Sequence, residues 1–127
     1  MICGYFDDEA QTVISVQVTG HYGTLQVILT VDTGFDSDIC LPVSTAVSLG
    51  LPLGGYRFVQ LADGSINKEL YFRGQCQIGN LPSRDVNVYI TELEDGLIGA
   101  GMFQNMRLEI NYGRQTVSLV PSQIGIE

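Results

Sequence analysis

The chain has 127 residues, enough for one domain with its own core and too few for two. Fourteen acids against six basic residues leave a net charge of −8, which argues against DNA or RNA as a partner, because phosphate binding needs basic patches. No apolar stretch approaches the roughly 18 residues needed to span a bilayer, so no membrane role is expected.

In chain order, the opening MICGYFDDEA has no basic start and reaches acids by Asp7, so it does not read as a signal peptide. Thr12 to Val18 alternates apolar and polar side chains and is rich in β-branched residues, the pattern of a half-buried strand. A turn follows over Gly20 to Gly23. A second strand runs from Thr24 to Val31, with Val27, Ile28, Leu29 and Val31 predicting burial on both faces near its end. Asp38 to Leu41 is a short strand. Pro42 then opens a helix over Val43 to Leu49, and Gly50 ends it. Tyr56 to Leu61 and Ile66 to Gln77 flank Ala62-Asp63-Gly64-Ser65, where Asp-Gly signals a hairpin. Gly79-Asn80 is a turn, and Val86 to Ile90 alternates again. Leu97-Ile98-Gly99 is a brief apolar run. Gly101 to Met106 predicts one or two helical turns. Arg107 to Ile110 and Thr116 to Leu119 pair around Asn111 to Arg114.

Fifteen glycines and four prolines are spread along the chain, and 45 % of residues are hydrophobic, so many turns surround a real core. Short strands with regular turn signals predict an all-β barrel or sandwich carrying one or two short helices. One domain is expected over 1–127, with its core over about 12–120. Cys3, Cys40 and Cys76 are odd in number, far apart and without clustered histidines. Neither a zinc site nor a disulfide framework is expected, and buried free thiols in a reducing cytoplasm are.

The chemistry centres on Asp32, which ends the second strand and is followed at once by Thr33 and Gly34. An acid among apolar neighbours costs desolvation free energy unless it is hydrogen-bonded, paired or protonated. Gly34 permits a tight turn and close approach of backbone. One carboxylate alone cannot both activate water and protonate an amide, whereas two that share a proton can. Asp-Thr-Gly occurs once in the chain. A second copy must therefore come from another chain, most simply across the axis of a twofold homodimer.

With Val31-Asp32-Thr33-Gly34-Phe35, the later Leu97-Ile98-Gly99 and the Asp63-Gly64 hairpin between them, the chain resembles the retropepsin-like aspartic proteases. The likeness is greatest to the bacterial and archaeal subgroup in which Phe follows the triplet. The resemblance implies an acid-protease barrel and a homodimeric endopeptidase acting on peptides or proteins without metal or cofactor. It implies catalysis by Asp32, a bracing role for Thr33 at the dimer axis, and substrate-backbone binding by Gly34. Phe35 and Asp36 would line the substrate cleft. Ala62, Asp63, Gly64 and Ser65, with the start of the next strand at Ile66, would form a flap. Leu97, Ile98 and Gly99 would support the catalytic loop.

Two departures from the family pattern stand out. The Arg that retroviral enzymes carry just after the apolar-apolar-Gly motif, as partner of the acid at Asp36, is Ala100 here, so that ion pair is absent. Phe35 replaces a small residue. These leave room for a catalytically silent binding or scaffold domain; a further alternative is a latent protease, active only after N-terminal trimming or in a larger assembly, with Met1 to Gln11 covering or bracing the dimer. Asp36 and Asp38 also read as surface turn or capping acids, and Asp63-Gly64 as an ordinary exposed hairpin. His21 is expected at the surface, and Glu92, Glu94 and Asp95 in a solvated loop.

Overall fold

The computed structural model describes residues 1–122; residues 123–127, included in the expected domain, lie outside the described part. The strands are β1 (Ile2–Phe6), β2 (Thr12–Gly20), β3 (Gly23–Asp32), β4 (Ile39–Pro42), β5 (Leu53–Gln60), β6 (Ile66–Gln77), β7 (Arg84–Thr91), β8 (Gly96–Gly99), β9 (Met106–Asn111) and β10 (Thr116–Pro121). One helix, α1 (Val43–Leu49), follows β4, and a single 3-10 turn (Ala100–Phe103) follows β8.

The strand order is β5-β6-β7-β4-β8-β3-β2-β1-β10-β9, and β6 also pairs with β2. That extra pairing closes β2, β3, β8, β4, β7 and β6 into a ring. It is possible because β2 divides one edge between two partners. Its residues 12–14 pair with β1 and its residues 17–19 with β6. β1, β10 and β9 extend the sheet beyond β2, and β5 extends it beyond β6.

The predicted alternation in β2 turns Ile14, Val16 and Val18 inward, each fully buried. They meet Leu29 of β3, Ile39 and Leu41 of β4, Val86 and Val88 of β7, Ile98 of β8, and Val117 and Leu119 of β10. Burial of each such side chain contributes about 1.5–3 kcal/mol against solvent exposure. Leu49 of α1 joins the same cluster. The helix starts where Pro42, at φ −58°, already holds a helix-compatible φ, and ends at Gly50 in the left-handed region at φ 63°. The Gly50 amide donates to the Ala46 and Val47 carbonyls, giving two terminal acceptors a partner.

Several expectations are corrected. Ile2–Phe6, unassigned from sequence, is a strand held between β2 and β10. Ile28 is 56 % exposed while Leu29 is 1 % exposed. The end of β3 therefore keeps the ordinary in-out alternation of a strand covered on one face, and is not buried on both. The strand before the Asp63 turn begins at Leu53, with a bulge near Gly55. The turns expected over Gly101 to Met106 shrink to Ala100–Phe103, because Met106 already pairs with Pro121 in the β9–β10 hairpin.

Candidate active site

Asp32 is the last residue of β3, and two strands fix where it ends. β3 and β8 run parallel, pairing Val31 with Ile98 and Asp32 with Gly99. β8 in turn pairs antiparallel with β4, placing Ile39 opposite Ile98. The loop from Asp32 to Asp38 thus leaves one wall strand and re-enters the sheet on the other side of β8.

The loop is shaped from within by Asp32. Its Oδ1 accepts a hydrogen bond from the Gly34 amide at 3.0 Å, and its carbonyl accepts one from the Phe35 amide at 3.1 Å. A side chain that bonds backbone two residues on is an Asx turn. Asp32 is half-buried, while Thr33 and Gly34 are exposed on the protomer. The carboxylate is therefore anchored through one oxygen and presented at the surface.

From outside, β8 and the 3-10 turn brace the loop. The amides of Gly99, Ala100 and Gly101 donate to the carbonyls of Asp38, Phe35 and Ser37 at 2.8, 2.8 and 3.0 Å. This close approach explains the glycine after Leu97-Ile98. A Cβ at Gly99 would come within 2.6 Å of the Phe35 carbonyl oxygen and nearer still to that of Ser37. The apolar pair and the glycine have separate duties: Ile98 is wholly buried in the core, and Gly99 admits the loop backbone.

Asp38 is not a surface acid. Its side chain is 14 % exposed; Oδ2 accepts from the Asn87 amide at 2.8 Å, and Arg84 lies 3.6 Å from Oδ1. It ties the end of the loop to β7. Asp36 is exposed, as a turn acid would be, yet it has a cation after all: Arg57 of β5 reaches its Oδ1 at 2.9 Å. The ion pair thought absent because of Ala100 is supplied from another strand. Phe35 packs edge-on against Tyr89, with centroids 6.0 Å apart, and its ring lies close to Gly99.

The β5–β6 hairpin carries the other expected residues. Ala62, Asp63, Gly64 and Ser65 are all exposed at its tip. Gly64 adopts φ 87°, a conformation that favours glycine. The Ser65 hydroxyl and amide donate to Asp63 Oδ1 at 2.6 and 2.9 Å, and these bonds hold the Asp63 carboxyl below its usual range.

Arg57 and Tyr89 were not singled out from the sequence. Burial works against the Arg57 charge, but hydrogen bonding to Asp36 and the nearby Tyr89, Asp36 and Glu69 outweigh it, so the guanidinium is held above its ordinary value. Burial likewise pushes the Tyr89 phenol up, opposed by Arg57. A lone Arg within the otherwise uncharged run of β5, set against an acid lacking its usual partner, was the available signal.

His21 is exposed, as are Glu92, Glu94 and Asp95. Cys3 is half-buried, Cys40 and Cys76 are buried, and all three are free thiols. Among the described residues no three His, Cys, Asp or Glu side chains are grouped to hold a metal ion. Among those residues, also, no helix is long and apolar enough to cross a membrane.

A family model described as "Aspartyl protease" matches residues 14–102, well over half of the chain, from the middle of β2 into the 3-10 turn after β8. The chain belongs to the aspartyl protease family. Among solved structures, this aspartyl protease is similar to a retropepsin-like aspartic protease from Rickettsia conorii. The TM-score is 0.65 at 18 % identity, over 94 % of this chain and 87 % of that one, a likeness of fold. The retroviral protease-like domain of Ddi1 from Leishmania major aligns at a TM-score of 0.47 and 14 % identity, over 88 % of this chain and 97 % of that one. No match is found among curated proteins. The fold is thus all-β and retropepsin-like, as expected from the Asp32 and Leu97-Ile98-Gly99 motifs.

Proposed function

We propose that this aspartyl protease is a homodimeric endopeptidase in which Asp32 of each of two copies forms a carboxylate dyad. The observation that carries the reading is the Asp32 turn. Its carboxylate is held by the Gly34 amide, while Thr33 and Gly34 stand exposed beside it, where a second copy can meet them.

Two full charges about 3 Å apart repel by roughly 5–6 kcal/mol at an effective dielectric near 20, or about 4 pKa units. One carboxyl of the dyad therefore keeps its proton while the other is ionised, the behaviour known from aspartic proteases. The ionised Asp32 takes a proton from a water molecule as it attacks the peptide carbonyl. The protonated Asp32 gives its proton to the reacting amide. Asp36 and Phe35 flank the dyad in the cleft, Gly34 offers backbone to the substrate, and the Ala62–Ser65 tip closes over the peptide to exclude water. Leu97, Ile98 and Gly99 hold the Asp32 loop in place. Buried free thiols fit a reducing cytoplasm as the site of action.

Activation by trimming Met1 to Gln11 has little support. That segment contains β1, which pairs with both β2 and β10, and the Met1 amino group bonds the Leu119 carbonyl at 3.2 Å. Its loss would strip a strand from the sheet.

The test is cleavage of a diverse peptide library over pH 3 to 7 by wild type and Asp32→Asn, with oligomeric state followed by sedimentation. Wild type is expected to cleave as a dimer, and Asp32→Asn to lose about a hundredfold or more in rate while keeping the fold. Equal rates in the two proteins, or a strictly monomeric active species, would sink the reading.

A further inference from the structure

Arg57 stands where four parts of the site converge. Nη1 donates to Asp36 on the Asp32 loop at 2.9 Å, and Nε donates to Glu69 on β6 at 3.3 Å. Its guanidinium lies over the Tyr89 ring of β7, 4.4 Å from the centroid. Tyr89 is 6 % exposed and is itself braced by Phe35 at 6.0 Å and Tyr71 at 5.8 Å. Among the described residues, the Arg57–Asp36 contact is the one side-chain hydrogen bond between the β5–β6 hairpin and the Asp32 loop.

We propose that Arg57 is a positioning residue that latches the hairpin to the loop bearing Asp32, and that it acts on substrate binding and not on the chemical step. The proposal rests on the peptidase reading. An exposed ion pair between two free side chains contributes little, because both must be immobilised. Arg57 differs in that its fork is already oriented by Glu69 and by the face of a buried ring. Its neighbours in β5, Tyr56 and Phe58, face the other way and are exposed, so Arg57 alone of these three turns toward the loop. Asp36 thereby gains a cation from the element that would close over substrate. A hairpin held in register is ready to bind, and apparent affinity falls with the fraction of molecules so arranged.

The test compares wild type with Arg57→Met, Arg57→Lys, Asp36→Asn and the Arg57→Met/Asp36→Asn double variant. With a cleaved peptide, Arg57→Met is expected to raise KM about threefold to tenfold while kcat stays within about twofold. Because Asp36 also flanks the dyad, the readout is non-additivity: adding Arg57→Met to Asp36→Asn should raise KM by less than Arg57→Met does in wild type, and Arg57→Lys should recover part of the loss. A purely structural defect would instead lower kcat through loss of folded enzyme and leave KM unchanged, and that result overturns the proposal. Amide hydrogen exchange supplies a readout independent of cleavage. Arg57→Met should speed exchange in both 56–70 and 33–38, and acceleration confined to one segment refutes the latch. An inert wild type with coupled exchange removes the peptidase reading and leaves the latch standing.

Discussion

Substituting Gly99 by Ala tests how the Asp32 loop is held. The added Cβ would sit 2.6 Å from the Phe35 carbonyl oxygen, nearer to the Ser37 carbonyl, and 2.5 Å from the Phe35 ring. Ordinary van der Waals separation is about 3.5–4.0 Å, so the loop must retreat by roughly 1 Å. Both carbonyls accept hydrogen bonds from the bracing segment, Phe35 from Ala100 and Ser37 from Gly101. Retreat therefore strains or breaks them at about 0.5–1.5 kcal/mol each. Overpacking alone costs about 1–3 kcal/mol. Together these predict a loss of about 2–6 kcal/mol, or a midpoint shift of about 1–3 M in urea at a slope of about 2 kcal/mol/M. Urea unfolding at fixed protein concentration measures it, with Gly113→Ala as control. At Gly113 a Cβ meets nothing nearer than Asn111 Oδ1 at 3.5 Å, so a change within about 0.5 kcal/mol is expected there. If Gly99→Ala behaves like the control, the argument that backbone contact dictates this glycine is wrong.

Asp38→Ala leaves the Asn87 amide without its acceptor in a partly buried place and should cost about 1–3 kcal/mol in the same assay; a loss below about 0.5 kcal/mol would mean that Asp38 is the surface acid its sequence context suggested. Burial pushes the Cys40 thiol to about 11 and, with burial again the main cause, the Cys76 thiol to about 12. Both should resist iodoacetamide at pH 8 in the native protein and react readily in urea, and fast native labelling of Cys76 would contradict its burial. Because these values are raised, the thiols favour the folded state below the usual 9.0, and that contribution fades as pH climbs from there toward about 12. Alkaline unfolding should accordingly be less steep in Cys76→Ala.

Local pattern carried much of the fold. The alternation of Ile14, Val16 and Val18, the Pro42 and Gly50 signals around α1, and the Asp63-Gly64 turn each encode their own geometry within a few residues. Elements stabilised across the chain left weaker traces. Ile2–Phe6 is short and interrupted by Cys3 and Gly4, and it becomes a strand only because β2 and β10 offer it edges on both sides. Ile28 looked buried because an apolar run does not reveal which face a neighbouring layer covers. At the site, Asp32 and Gly99 were visible as motifs, since tight turns and close backbone contacts demand particular residues. Arg57 was not, because a cation can reach an acid from any strand that folding brings near. Asp38 was misjudged for the same reason: its partners, Asn87 and Arg84, lie far along the chain.

The long strand β6 passes from one neighbour to another at Phe72, which is paired with Leu53 on one side and Val88 on the other. Residues 66–72 belong to the projecting hairpin, and 72–77 are built into the closed ring. The hairpin is therefore a cantilever rooted in the wall, about 20 Å long at strand rise, so that tilting its base by about 10° swings the tip by roughly 3–4 Å. Side chains around that root, together with the Arg57–Asp36 tie part-way along, set the stiffness of the whole arm.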